Sequence, residues 1–188
     1  MKLAQRISRL GTETAFEVLA EVNELRAKGR DIIALSIGEP ACATADSIKD
    51  AAKKALDNNL THYSPSQGIG EFRKVIAEYV SATRGIPVDP AEVVVVPGGK
   101  PVIFFSILAC IEEGDEVVYP LPGYPIYESM INFVGATPVP LRLREEKRFS
   151  FDIQELRSRI TERTRMVIVN SPHNPTGGMI PKNDLHEI

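Results

Sequence analysis

The chain has no tryptophan, and in 188 residues it carries only two cysteines and three histidines. Cys42 and Cys110 stand far apart in no CxxC pattern. With His62, His173 and His186 scattered, the chain offers neither a metal-ligand spacing nor a disulfide framework, and the cysteines read as thiols of a reducing compartment. No apolar run approaches the ~20 residues that a membrane-spanning helix needs. The N-terminal "MKLAQRISRLGTETAF" holds no continuous apolar core of signal-peptide length, so the expected address is the cytoplasm. Neither sign of charge dominates: 22 Lys and Arg against 25 Asp and Glu leave a net charge of −3, with no electrostatic reason to expect nucleic acid or polyphosphate. Internal repeats and low-complexity tracts are lacking too.

What is present is an ordinary globular composition, 43% hydrophobic and 25% charged, in a chain long enough to bury a core. The first part has a helical pattern. Phe16 and Leu19 lie on one side of a first helix, and Val18, Val22 and Leu25 on another, before Gly29; so broad a face predicts more than one packing neighbour. A short strand "IIAL" leads into "SIGEP" (36–40). A second helix is expected over about 46–57, carrying Ile48, Ala51, Ala52, Ala55 and Leu56. In a third, Phe72, Val75, Ile76, Tyr79 and Val80 have the spacing of one buried stripe. "RGIPVDP" (84–90) is the best linker candidate.

Beyond it the pattern changes. "EVVVV", "EVVY", "TPVPL" and "RMVIV" are short β-branched runs, separated by helical patterns at 100–111, 124–133 and 152–160. Strand–helix–strand alternation predicts a parallel sheet with helices on its faces, and such sheets bind ligands at the carboxyl ends of their strands.

Three loops follow strands there. In "VVVVPGGKPVIFF", Gly98 and Gly99 let the backbone turn tightly before a helix whose N-terminal dipole favours an anion such as phosphate. The same glycines would equally serve a plain βα turn, and Pro101 rules out a P-loop. In "YPLPGYPIY", three prolines and a glycine stiffen the chain around Tyr124, which could present a flat face or simply pack. In "MVIVNSPHNPTGG", Asn170 and Asn174 are neutral amides that can donate to a charged oxygen, with Pro172 and Pro175 fixing their backbone. His173 lies between them, yet the sequence supplies no carboxylate partner or nucleophile for a triad.

"LSIGEP", "HYSPSQGIGEFR", "VVPGGKPVIFF", "EEGDEVVYPLPGYPIY" and "VIVNSPHNPTGG", in that order, resemble the motif series of the class I, aspartate-aminotransferase-like family of pyridoxal 5'-phosphate (PLP) enzymes. The resemblance implies an α/β fold: part of the fold type I large domain over 36–188, preceded over 1–35 by a helical arm and a portion of the small domain. It implies that Gly98, Gly99 and Lys100 hold the cofactor phosphate, that Tyr124 stacks on the pyridine ring, and that Asn174, with Asn170 in the same loop, serves the ring's phenolate oxygen. Gly38 would lie by the substrate carboxylate. Tyr63 would reach across a homodimer interface to the partner's cofactor phosphate. Cis peptides are implied before Pro122 and Pro175. The implied reaction passes an amino group from an amino acid to a 2-oxo acid. Other fold type I reactions, lyase or decarboxylase, and a non-catalytic cofactor-binding fragment are the alternatives.

Two departures stand out. After Gly38-Glu39-Pro40 the chain reads "ACATADSI" where the family continues with an acidic, Phe-containing stretch. The family's Schiff-base lysine, its aspartate for the pyridine nitrogen and its arginine for the substrate carboxylate are all expected beyond Ile188, so no catalytic residue is assigned within the chain. In the family's seven-stranded sheet, later strands bridge the first strand, here 93–96, to the others.

Overall fold

The computed structural model describes residues 2–11 and 14–188. Its helices are α1 (Thr14–Ala27), α2 (Asp46–Asp57), α3 (Gly70–Arg84), α4 (Gly99–Cys110), α5 (Ile126–Val134), α6 (Ile153–Arg159) and α7 (Lys182–Glu187). Its strands are β1 (Glu116–Leu121), β2 (Thr137–Arg142) and β3 (Thr164–Val167). None of the described helices is long and apolar enough to cross a membrane. Contacts gather into two compact units: residues up to Glu17 with Gly99–Ile188, and Val18–Gly98.

In the first unit the three strands form a parallel sheet in the order β2-β1-β3. β1 is central because its residues can be buried on both faces. Val117 and Tyr119 point into a cluster with Ile107 of α4 and Tyr127, Met130 and Ile131 of α5. Val118, facing the other way, joins Leu141 of β2, Leu156 of α6 and Phe151, just before α6. At the start of β1 the buried Glu116 carboxylate takes a hydrogen bond from Thr161 Oγ1 at 2.7 Å and an ion pair from Arg163 at 2.6 Å, so its charge is fully partnered.

β2 is built as an edge. The Thr137 N–H donates to the Asp115 carbonyl and the Leu143 N–H to the Leu121 carbonyl, each at 2.8 Å, so the odd-numbered residues face β1. Pro138 and Pro140 fall at the alternate positions and present no N–H to the outside, which blunts that edge. The N-terminal segment also belongs to this unit: Gly11 N–H donates to Ser129 Oγ at 3.0 Å, and the Arg6 guanidinium lies 5.9 Å above the Phe133 ring.

The second unit departs from the sequence reading in four places. Residues 32–35 form no strand, and Ile33 and Leu35 are almost fully exposed. Residues 93–96 run without a ladder: no strand among the described residues lies alongside, and two backbone bonds, Val95 N–H to the Gln67 carbonyl at 2.9 Å and Val93 N–H to the Pro90 carbonyl at 3.3 Å, tie them down. The α3 stripe is rotated, because Ala77 is the buried position while Phe72, Val75 and Tyr79 are exposed. The α1 face is narrower than expected: Val22 is buried and Leu19 and Leu25 partly so, but Phe16 and Val18 are exposed. α2 has the expected bounds, yet none of its residues is buried.

Ile131 is fully buried against β1, whereas Ile48 on α2 is 62% exposed. Ile131→Ala is expected to cost about 2–5 kcal/mol in urea unfolding and Ile48→Ala under about 0.5 kcal/mol; comparable costs would contradict this placement of the core.

Candidate functional site

The parallel pairing of β1 with β3 sets their carboxyl-terminal loops side by side. The ladder continues past β3, with Ile168 N–H donating to the Val118 carbonyl at 2.8 Å, so the chain leaves the sheet just before Asn170. From the β1 loop, Tyr124 is half-buried and its ring meets that of Tyr127 edge-on, 6.0 Å between centroids at 89°. Tyr127, at the start of α5, is buried, and burial raises its hydroxyl's pKa. Its hydroxyl lies 3.5 Å from the Asn170 amide, close to the limit of a hydrogen bond.

The Asn170 amide takes the orientation that satisfies its neighbours. Nδ2 donates to the Pro172 carbonyl and Oδ1 accepts from the Asn174 N–H, each at 3.1 Å. The rest of the loop closes on itself. His173 N–H donates to the Gly178 carbonyl at 2.8 Å and Gly177 N–H to the His173 carbonyl at 2.7 Å, while Ser171 Oγ accepts from Ile180 N–H at 3.0 Å. Gly178 must be glycine here, since a Cβ would come within 2.8 Å of the Arg148 and Phe149 carbonyls. The loop therefore holds Asn170 inside and presents Asn174 exposed at its tip.

His173 takes part through this closure. It is buried, with Nδ1 2.9 Å from Thr176 Oγ1 and Nε2 without a hydrogen-bond partner, and burial lowers its pKa, so the ring is held neutral. The adjoining cavity, lined by His173, Asn170, Leu141, Phe151 and Ile180 among others, measures only about 20 Å³ and could admit little more than a water.

Gly99 and Lys100 open α4, and Ile103 and Phe104, one turn on, pack against the same cluster as Tyr124. A Cβ on Gly98 or Gly99 would meet nothing within 4 Å, so the backbone at this helix start borders open space. Lys100 Nζ lies 5.3 Å above the Phe16 ring. Gly38 and Tyr63 belong to the other unit. Open space surrounds Gly38, and Tyr63 is wholly exposed. Peptide bonds before Pro122 and Pro175 are cis, as the motif series implies, and so is the one before Pro172, which it does not. Sequence reasoning singled out neither Tyr127, whose partner Asn170 comes near only once the two loops are adjacent, nor Thr176, whose contact with His173 depends on how both side chains turn within one loop.

The family model described as aminotransferase class I and II matches residues 30–188. The chain belongs to this family. It is 40% identical over 99% of its length to a probable aspartate/prephenate aminotransferase of Aquifex aeolicus, covering 47% of that protein, and 35% identical over 98% to an aspartate aminotransferase of Bacillus subtilis, again covering 47%. Among solved structures, the aspartate aminotransferase of Thermus thermophilus with maleate superposes on all of this chain with a TM-score of 0.94 at 36% identity. An alanine aminotransferase of Pyrococcus furiosus does so at 0.93 and 32%; the chain covers 49% and 48% of them respectively. It thus spans about half the length of the relatives it matches. The family is PLP-dependent, and the donor set suits such a group: a half-buried aromatic face, neutral amides that cannot become anionic, and open backbone at a helix N-terminus.

The buried, neutral His173 has a consequence for stability. Its folded pKa lies below the ordinary 6.5, so the unfolded chain takes up a proton first as pH falls. That contribution to stability is complete above 6.5 and is lost as the pH falls toward the folded value. Urea midpoints should therefore drop more steeply between about pH 7 and 5 for the parent than for His173→Gln; parallel profiles would contradict it.

Proposed function

We propose that the protein carrying this chain is a PLP-dependent aminotransferase, moving an amino group from an α-amino acid to a 2-oxo acid, and that these residues form its cofactor-holding part. The observation that carries the reading is the convergence of Tyr124, Tyr127, Asn170 and the Asn174 loop at the ends of adjacent parallel strands. The relatives' names, aspartate and aspartate/prephenate aminotransferase among them, support an amino-acid donor.

Each residue has a task on this reading. Backbone N–H groups at Gly98, Gly99 and Lys100, with the α4 dipole behind them, hold the phosphate. The dipole contributes ~0.3–1 kcal/mol, so it assists rather than accounts for binding. Tyr124 lies against the ring face and excludes water from it, for ~0.5–1.5 kcal/mol beyond area burial. Asn174 donates its amide to the ring's phenolate oxygen, favouring the ionised form, and Asn170 fixes the backbone from which Asn174 projects. Bound there, PLP supplies the electron sink that makes bonds at the amino acid's α-carbon labile. The attaching lysine, the aspartate and the arginine that the resemblance implies lie beyond Ile188 on this reading. Gly38 serves the substrate carboxylate, and the divergent Ala41–Ile48 stretch is where substrate choice is set. Tyr63, wholly exposed here, serves the partner's phosphate in a cytoplasmic homodimer. The domain division falls near residue 35.

The test is an amino-acid and 2-oxo-acid panel, assayed for a new amino acid with PLP bound to the full protein. Release of carbon dioxide or ammonia instead would replace the transaminase reading with the decarboxylase or lyase one. For the site, Asn174→Ala is expected to weaken PLP binding by about 10- to 100-fold, the worth of one hydrogen bond to a charged group. An absorbance titration unchanged in both affinity and pH dependence would remove Asn174 from this role.

A further inference from the structure

The motif "HYSPSQGIGEFR" extends ten residues past Tyr63. Its remaining residues meet the unladdered segment 93–96 from one side. Arg73 is half-buried, and its guanidinium spans two carbonyls, Nε donating to Val93 at 2.8 Å and Nη2 to Pro90 at 2.6 Å. The Gln67 carbonyl accepts from Val95 N–H at 2.9 Å. Gly68, at φ +106°, lies so close that a Cβ there would stand 2.9 Å from both Cβ and Cγ2 of Val95. The near end of the segment is fixed as well: Asp89 and Glu92 form a reciprocal capping box, with Asp89 Oδ1 accepting from Ala91 N–H at 2.7 Å and Glu92 Oε2 accepting from Asp89 N–H at 2.8 Å.

A β-rich segment normally takes its position from a ladder. Here three hydrogen bonds to residues 67–73 do that work, and only Val96, Pro97 and Gly98 separate the last of them from Gly99. Pro97 has a fixed φ, which narrows the paths open to the backbone between anchor and loop. We propose that Gln67–Arg73 is a clamp on 90–95, and that Arg73 is a positioning residue for the phosphate-holding backbone at Gly98 and Gly99. This rests on the cofactor reading above. The Arg73 guanidinium is taken up by the Val93 and Pro90 carbonyls, and through them it sets where the donors stand. Its planar fork suits two carbonyls at once, which a lysine's single ammonium cannot reproduce in the same geometry.

The clamp acts on the phosphate end alone, because Tyr124 and Asn174 project from the loops after β1 and β3. Pyridoxal, which lacks the phosphate, separates the two ends. In the full protein, Arg73→Lys and Arg73→Ala should each weaken PLP binding by about tenfold while changing pyridoxal binding less than about twofold. The charge-retaining variant should behave like the alanine one. Equal losses for both ligands, or an unchanged ratio, would overturn the clamp. A parent protein that binds pyridoxal as tightly as PLP would overturn the phosphate-loop reading beneath it, a separable result. The unaltered protein gives a second measurement that needs no variant to fold. Reciprocity requires that PLP or inorganic phosphate, and not pyridoxal, slow hydrogen exchange at the Val95 amide; exchange indifferent to phosphate would sink the proposal.

Discussion

The parallel ladder between β1 and β3 is the constraint on which the candidate site depends. Tyr124 and Asn170 are 46 residues apart in the sequence. They come together because Val117 pairs with Met166 and Val118 with Val167, so both strands end at the same side of the sheet. Burial of Val117 and Val118 on opposite faces holds β1 in that register, since a slip of one residue would exchange the two clusters. The partnered Glu116 at the other end keeps the first rung in place.

Given that ladder, the loops need only local chemistry. The loop after β3 is organised by its own side chains and backbone: Asn170 to Asn174, His173 to Thr176 and Gly178, Ser171 to Ile180. A catalytic histidine would have a nearby acid or base to exchange protons with. His173 has a threonine hydroxyl, an apolar cavity and a depressed pKa, which is the chemistry of a neutral brace.

Legibility in the sequence followed the range of the interaction. The 46–57 helix was readable from its run of apolar and alanine positions, and the three strands of the sheet from β-branched runs. Local pattern failed where pairing decides. "IIAL" and "VVVV" have the composition of strands, but a strand is defined by its neighbour, and neither has one among the described residues. The α3 error has the same origin: periodicity showed that apolar residues share a face, while which face is covered depends on what packs there, and Ala77 is what does. At the site, the motifs pointed to Tyr124, Asn170 and Asn174. Tyr127 and Arg73 became visible only through contacts made at a distance in the chain, and Thr176 only through the side-chain orientation that sets its hydroxyl against His173.

The two edges of the sheet differ in a way that bears on the segment 93–96. Pro138 and Pro140 remove two of the outward donors of β2, which disfavours extension of the sheet by backbone pairing there. β3, "TRMV", has no proline and keeps its outward N–H and C=O groups, so that side is the better suited to extension by pairing. A segment that takes no part in the ladder must be positioned by something else if the backbone following it is to hold a ligand. Arginine and glycine suit that task, the one by reaching two carbonyls and the other by letting chains touch. Positioning by side chain in place of ladder is why Arg73 is expected to affect phosphate and leave the ring alone.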